Sequence, residues 1–192
     1  MLTGTVTDPQ LYRHEARLVQ HLRDRLHGEA RLSVHTSGVL AIRKMDVFNR
    51  YDRACISFPS FEPATYARLM GSPRMPDLGA IVRQAAIPVK VSCVVTDANA
   101  AEIPSFLERC HGLGVRRVVL RTLFGEMRLP TVVQHLPVAG SFRGNPVLDL
   151  RGMEVTWWDF DRTEMTSINL FADGTLGTSY LLTQTPELRQ HA

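Results

Sequence analysis

Short apolar runs alternate with stretches of helical periodicity along the first part of the chain, and this alternation constrains the fold most. It is typical of βαβ units, which assemble into a parallel sheet. The predicted strands are Met1–Thr5, Leu32–Thr36, Arg53–Phe58, Val89–Val95 and Val115–Leu120. The sequence therefore predicts an α/β fold with about five parallel β/α units.

The segments between these runs carry helix signals. Asp8 followed by Pro9 has the pattern of an N-cap and a first-turn proline, and it predicts a helix that continues to Leu26. Further helices are predicted over Glu62–Met70 and Ile103–Cys110, each closed by a following glycine. The connections between strands are therefore predicted to be helical, as a parallel sheet requires.

The pattern changes after Arg121. Residues 122–146 are rich in proline and glycine, which predicts irregular structure. Beyond them, apolar runs face each other across Arg151-Gly152 and Asp173-Gly174, a signal for β-hairpins. The predicted organisation is a β/α domain at 1–126, a linker at 127–146, a small antiparallel β-hairpin appendage at 147–185 and a tail at 186–192.

Composition excludes several classes of protein. The net charge is only +3, and the basic residues, nearly all arginine, are scattered along the chain, which argues against a nucleic-acid partner. No apolar stretch reaches the length of a membrane span, and the N-terminus lacks the pattern of a signal peptide. Cys55, Cys93 and Cys110 lie far apart, which favours a reduced, cytoplasmic protein without disulfides and without a zinc site.

Polar or small residues follow each predicted strand. They are found at Thr3 to Asp8, His35 to Gly38, Ser57 to Ser60, Thr96-Asp97 and Arg121-Thr122. Any one of these segments has an ordinary explanation as turn and capping chemistry. In β/α barrels, however, the working residues lie at the carboxyl ends of the strands, so five such segments together favour a polar ligand with amine, carboxylate and ribose groups.

Five segments also follow one another in the order of a known family. Thr3 to Pro9, His35 to Gly38, Cys55 to Phe58, Pro88 to Val95 and Leu113 to Arg121 resemble the second to sixth strands of radical S-adenosylmethionine (radical SAM) enzymes. The branch that they resemble most includes the molybdenum-cofactor cyclase. The resemblance implies that residues 1–126 form a partial (β/α) barrel, and that the chain binds S-adenosylmethionine for radical chemistry on a small-molecule or peptide substrate.

The resemblance also implies a set of binding residues. These cofactor-binding residues are Thr3, Gly4, Thr5, Thr36, Ser37, Ser57 and Arg121. Thr3, Gly4 and Thr5 would contact the methionine moiety of S-adenosylmethionine. Thr36 and Ser57 would lie near its ribose, and Arg121 would face the cofactor or the substrate. No residue of the chain is implied as a metal ligand.

The chain departs from the family in three places. Ser37 stands where the family usually has asparagine, and Thr5 where it often has glutamate. The motif Cys-x-x-x-Cys-x-x-Cys is absent, although thiolates are the ligands that a [4Fe–4S] cluster requires. We therefore expect the cluster only in a full-length protein with an upstream strand, and expect this fragment alone to be inactive. The first-strand edge at residues 2–5 would then be exposed and could pair with another chain.

Two other functions fit the same residues. The chain could be a non-catalytic half-barrel that binds a partner along its exposed strand edge. It could also be a β/α-barrel enzyme that uses ordinary acid–base chemistry, with Asp8, His35 and Asp97 as its candidate groups.

Overall fold

An eight-stranded mixed sheet forms the centre of the protein in the computed structural model, which describes residues 1–4, 7–26, 28, 30–122, 133–160, 163, 168–170 and 174–178. The strands are β1 (Leu2–Thr3), β2 (Ser33–Thr36), β3 (Arg53–Ser57), β4 (Val89–Val94), β5 (Arg117–Arg121), β6 (Val138–Phe142), β7 (Asn145–Leu150) and β8 (Met153–Trp158). Their order across the sheet is β1-β2-β3-β4-β5-β8-β7-β6. A second, two-stranded antiparallel sheet pairs β9 (Asn169–Leu170) with β10 (Leu176–Gly177).

Helices connect the parallel strands. They are α1 (Glu15–Arg25), α2 (Met45–Phe48), α3 (Pro63–Met70), α4 (Leu78–Gln84) and α5 (Ile103–Gly112), together with short 3-10 turns at Pro9–Leu11 and Ala100–Glu102. Strands β1 to β5 pair in parallel, which confirms the predicted α/β fold. Among the described residues, no helix has the length and apolarity needed to cross a membrane.

The two faces of the sheet differ in chemistry. One face packs against the helices, and its side chains, such as Ile56, Val91 and Leu120, are fully buried with those of α4 and α5. The register of the parallel strands places the alternate residues on the opposite face. We call this second face the polar face; it carries Thr3, His35, Cys55, Ser57, Lys90, Ser92, Arg117, Arg121, Glu154, Thr156 and Trp158.

The hairpin predicted as part of a separate appendage extends the main sheet instead. Strand β6 begins at Val138, inside the predicted linker, and pairs antiparallel with β7; β7 pairs antiparallel with β8 across the predicted turn at Arg151-Gly152. Strand β8 then lies parallel to β5. Most residues of β8 are buried on both faces, which is typical of a strand inside a sheet and explains why it joins the core.

The predicted first helix is interrupted. The Asp8 carboxylate accepts a hydrogen bond from the Gln10 backbone amide and caps a single 3-10 turn, and α1 begins only at Glu15. The interruption buries the Gln10 side chain against the end of β2, where its amide oxygen contacts the Thr36 hydroxyl at 3.0 Å. A continuous helix from Asp8 would carry Gln10 away from this position.

A buried ion pair fixes the start of α1. The Glu15 carboxylate is 1% exposed and accepts hydrogen bonds from the Lys44 ammonium at 2.8 Å and from the Tyr51 hydroxyl at 3.0 Å. Lys44 also donates to the backbone carbonyl of Gln10. Burial and the neighbouring Glu15 carboxylate raise the pKa of Tyr51 above its ordinary value, so its hydroxyl stays protonated and donates. The cluster therefore ties α1, the turn before it and α2 together.

Replacing Glu15 with alanine should lower the free energy of unfolding by about 3–5 kcal/mol, because it leaves the Lys44 ammonium and the Tyr51 hydroxyl without their partner. The control is Glu108→Ala, which removes an ion pair to Arg151 in which both side chains are more than half exposed; its effect should be at most about 1 kcal/mol. Urea unfolding measures both values, and equal losses for the two variants would contradict this role of Glu15.

Candidate functional site

The carboxyl ends of six parallel strands lie along one edge of the main sheet. Strands β1 to β5 and β8 all run in the same direction, so Thr3, Thr36, Ser57, Arg121 and Trp158 end their strands at this edge. We call it the carboxyl edge. In parallel α/β sheets, loops at this edge commonly form the ligand site.

Asp8 joins the first two strands at the carboxyl edge. Its carboxylate accepts hydrogen bonds from the Ser37 backbone amide at 2.7 Å, from the Ser37 hydroxyl at 2.6 Å and from the Thr36 hydroxyl at 2.8 Å. Gly38 follows in the left-handed region with φ of +81°, which turns the chain away from β2. Asp8 therefore anchors the turn after β2, and its oxygens are committed to that turn.

Asn99 plays the same role between the third and fourth strands. Its side-chain amide donates to the backbone carbonyls of Pro59 and Val94, both at 2.9 Å, and its oxygen accepts from the Thr96 amide at 2.8 Å. The residue is fully buried. The loops after β3 and β4 are thus held against each other without any ligand.

His35 and Ser57 meet on the polar face. Their Nε2 and Oγ atoms are 2.9 Å apart. Burial, with the positive charges of Arg121 and Lys90 nearby, lowers the pKa of His35 from 6.5 to about 4, against a smaller opposite effect of Asp8. At neutral pH the imidazole is therefore uncharged and can either accept a hydrogen bond from Ser57 or donate one to it.

Arg121 and Trp158 are neighbours at the carboxyl edge. They occupy paired positions on β5 and β8, and the guanidinium carbon of Arg121 lies 5.9 Å from the centroid of the Trp158 ring. Within the described part of the chain, Arg121 Nε and Trp158 Nε1 are buried and have no hydrogen-bond partner. Gln10 Nε2, near the end of β2, is the third such donor among the described residues, but Arg121 and Trp158 differ from it because they occupy paired positions.

Lys90 and Cys55 lie next to each other on the polar face. They occupy paired positions on β4 and β3. Burial lowers the pKa of Lys90 and raises the pKa of Cys55. Burial thus favours the protonated thiol at Cys55, the less nucleophilic form.

The structure brings only some of the predicted binding residues together. Ser57 and Arg121 lie on the polar face, and Thr3 occupies the position beside His35 at the sheet edge. Gly4 follows, and a Cβ on it would lie 1.5 Å from the Thr7 carbonyl oxygen, so the loop after β1 has room for glycine alone. Thr5 lies outside the described residues.

Thr36 and Ser37 have a different place from the one expected. Thr36 is 3% exposed, and its hydroxyl is engaged by Asp8 and Gln10 on the side of the sheet that the helices cover. A residue next to His35 in a strand points to the other face, so the Thr36 side chain does not share the polar face, and its contact with a ribose stays a prediction. The hydroxyl of Ser37 donates to Asp8, so both residues act by shaping the turn.

Trp158 and Lys90 of the polar face were not predicted as site residues, and His35 was predicted only as a candidate group for acid–base chemistry. Strand alternation in the sequence could have indicated that Trp158 faces the site. Trp157 is buried in the core and Trp158 faces the opposite way. Lys90 is the second residue of β4 and lies near the amino end of that strand, so a search of the strand ends at the carboxyl edge does not find it.

The cysteines do not form a cluster site. Cys93 and Cys110 are fully buried, and burial raises the pKa of both thiols, that of Cys110 to about 12. In the described part of the chain, no group of three or more histidine, cysteine or acidic side chains is placed to hold a metal ion. The residues present do not fit a [4Fe–4S] cluster.

Comparison with protein-family models finds no match for this sequence, and comparison with curated proteins also finds none. The geometry of the carboxyl edge and the polar face is thus the basis for assigning a function. It presents neutral hydrogen-bonding groups at His35 and Ser57 beside the cationic pair of Lys90 and Arg121. Such a surface suits a ligand with hydroxyl groups and a negative charge.

The lowered pKa of His35 should reduce the free energy of unfolding as the pH falls from 6.5 towards 4. Because the pKa of folded His35 is lowered, the unfolded chain binds a proton in this range that the folded chain does not. The loss is at most about 2 kcal/mol between pH 7 and pH 5. Urea unfolding at both pH values should show a smaller loss in His35→Gln. An unchanged pH dependence in this variant, or an imidazole that titrates near 6.5 by NMR, would contradict the assignment.

Proposed function

We propose that the chain is the distal part of a radical SAM-type partial (β/α) barrel, and that it binds S-adenosylmethionine along its carboxyl edge. The observation that carries the proposal is the set of six parallel strands whose ends meet at one edge, with the Ser57 hydroxyl and the neutral His35 ring on the adjoining polar face. The proposal agrees with the order of strand-end motifs in the sequence.

The donor set suits the parts of S-adenosylmethionine. The Ser57 hydroxyl and the neutral His35 ring can hydrogen-bond a ribose diol, since both groups can donate and accept. The tight loop at Thr3 and Gly4, in which the Thr7 carbonyl packs against Gly4, brings backbone groups to the carboxyl edge, and such groups suit an amino acid moiety. The Trp158 ring offers a flat surface for a purine.

The roles of this chain are binding and orientation. When bound, S-adenosylmethionine would supply a sulfonium that a reducing cluster can cleave. The described residues contain no ligand set for that cluster, so no step of radical chemistry is assigned to them. Asp8 and Asn99 are positioning residues, because each holds a loop at the carboxyl edge and neither is free to contact a ligand.

A second candidate function rests on the contact between Ser57 and His35. A neutral imidazole at 2.9 Å from a serine hydroxyl can accept its proton, as in acid–base catalysis. No described carboxylate hydrogen-bonds the other nitrogen of this ring, since Asp8 holds the turn after β2 and Asp97 is exposed after β4. The contact therefore lacks the third group that orients such a base.

S-adenosylmethionine should bind the purified chain with a dissociation constant below about 1 mM in isothermal titration calorimetry. Ser57→Ala should weaken binding about three- to tenfold, because it removes one hydrogen bond to the ribose. The matched control is Ser105→Ala on α5, where an exposed hydroxyl donates to the Glu102 carbonyl.

Separate titrations with adenosine and with methionine test whether both halves of S-adenosylmethionine contribute to binding. The proposal predicts that each binds more weakly than the intact cofactor, since each fills half of the site. No heat of binding with S-adenosylmethionine, or an equal loss in the Ser57 and Ser105 variants, would refute it. A different result would be that S-adenosylmethionine fails to bind, while a serine-directed acylating reagent labels Ser57 in the unmodified protein and leaves Ser57 unlabelled in His35→Gln. That result favours the acid–base function instead.

A further inference from the structure

Two buried nitrogen donors at the carboxyl edge have no acceptor among the residues that the structure describes. Arg121 Nε and Trp158 Nε1 sit on paired positions of β5 and β8, and no described residue accepts a hydrogen bond from either. Leaving one buried donor unpaired costs about 1–3 kcal/mol, so native proteins seldom keep two side by side. An acceptor supplied by a ligand would remove this cost.

The charge around these donors is positive. Lys90 lies on the same face, two strand positions along from Ser92, and its ammonium forms no ion pair with a described residue. Glu154 lies in the same row of the sheet as Lys90 but pairs with Arg117 at 2.7 Å, and Asp8 holds the turn after β2. Neither Lys90 nor Arg121 forms an ion pair with these two carboxylates.

We propose that Lys90, Arg121 and Trp158 form an oxyanion-binding site that takes the carboxylate or phosphate group of a small-molecule substrate. The guanidinium of Arg121 and the indole N–H of Trp158 would donate to its oxygens, and the Lys90 ammonium would balance its charge. The proposal rests on the proposed function only in assigning the oxyanion to a substrate that lies beside S-adenosylmethionine. The site itself stands on the unpaired donors.

Tryptophan fluorescence reports on this site directly. The chain has two tryptophans, and Trp157→Phe leaves Trp158 as the only reporter. Inorganic phosphate and acetate are the two probes, each titrated at constant ionic strength against potassium chloride. We expect a saturable change in emission with at least one of the two anions, with half-saturation below about 10 mM. The anion that binds more tightly shows whether a phosphate or a carboxylate is the preferred group.

Three variants in the Trp157→Phe background test the residues. Arg121→Met and Lys90→Met should each raise the half-saturating concentration about tenfold, the effect of losing one charged hydrogen bond. Arg117→Met is the control: it lies on the same strand and the same face, carries the same charge, and is 62% exposed in an ion pair with Glu154. It should leave the titration unchanged. If Arg121→Met does not fold by circular dichroism, Lys90→Met against Arg117→Met makes the same comparison.

A change in fluorescence that depends on ionic strength and does not saturate would overturn the oxyanion site. An equal change in the half-saturating concentration in Arg117→Met and Lys90→Met would also overturn it. A further titration separates this proposal from the proposed function. Phosphate binding that persists in saturating S-adenosylmethionine supports a separate substrate oxyanion, and displacement by S-adenosylmethionine overturns that assignment. If S-adenosylmethionine does not bind while phosphate does, the proposed function fails and the oxyanion site stands.

Discussion

Parallel pairing of six strands is the constraint on which the rest of this protein depends. Because β1 to β5 and β8 run in one direction, every loop that follows them is delivered to the same edge of the sheet. The alternation of side chains along the strands then divides the sheet into a face buried under helices and a polar face. A histidine, a lysine and two arginines lie on the polar face as a direct result.

Two kinds of polar residue serve this edge. Asp8, Glu15 and Asn99 are engaged by neighbouring groups, so they fix loops and contribute stability; Glu15 and Asn99 are buried and Asp8 is half-buried. The Nε atom of Arg121 and the Nε1 atom of Trp158 are buried without a hydrogen-bond partner among the described residues, which costs stability and therefore points to ligand binding. Their paired positions on β5 and β8 distinguish them from Gln10 Nε2, which is unpaired by itself.

The sequence predicted local features well and long-range pairing poorly. Strand periodicity placed β2 to β5, and the turn at Arg151-Gly152 placed the β7–β8 hairpin, because these signals involve adjacent residues. The pairing of β8 with β5 joins segments more than thirty residues apart, about which a local pattern says nothing. The end of β2 was predicted correctly at Thr36, but the face that its side chain occupies follows from strand alternation, which the position at a strand end does not give. Lys90 was missed because its long side chain acts at a distance from the strand end.

Hydrogen–deuterium exchange with and without S-adenosylmethionine tests the central claim, that the carboxyl edge is the ligand site. If the carboxyl edge binds the ligand, amide exchange should slow at the ends of β1 to β5 and β8 and in the turns that follow them, including the segment from His35 to Gly38. Exchange should not change in α1 or at the turn of Arg151-Gly152, which lies at the opposite edge. Protection at that opposite edge, or on α1 alone, would contradict the account.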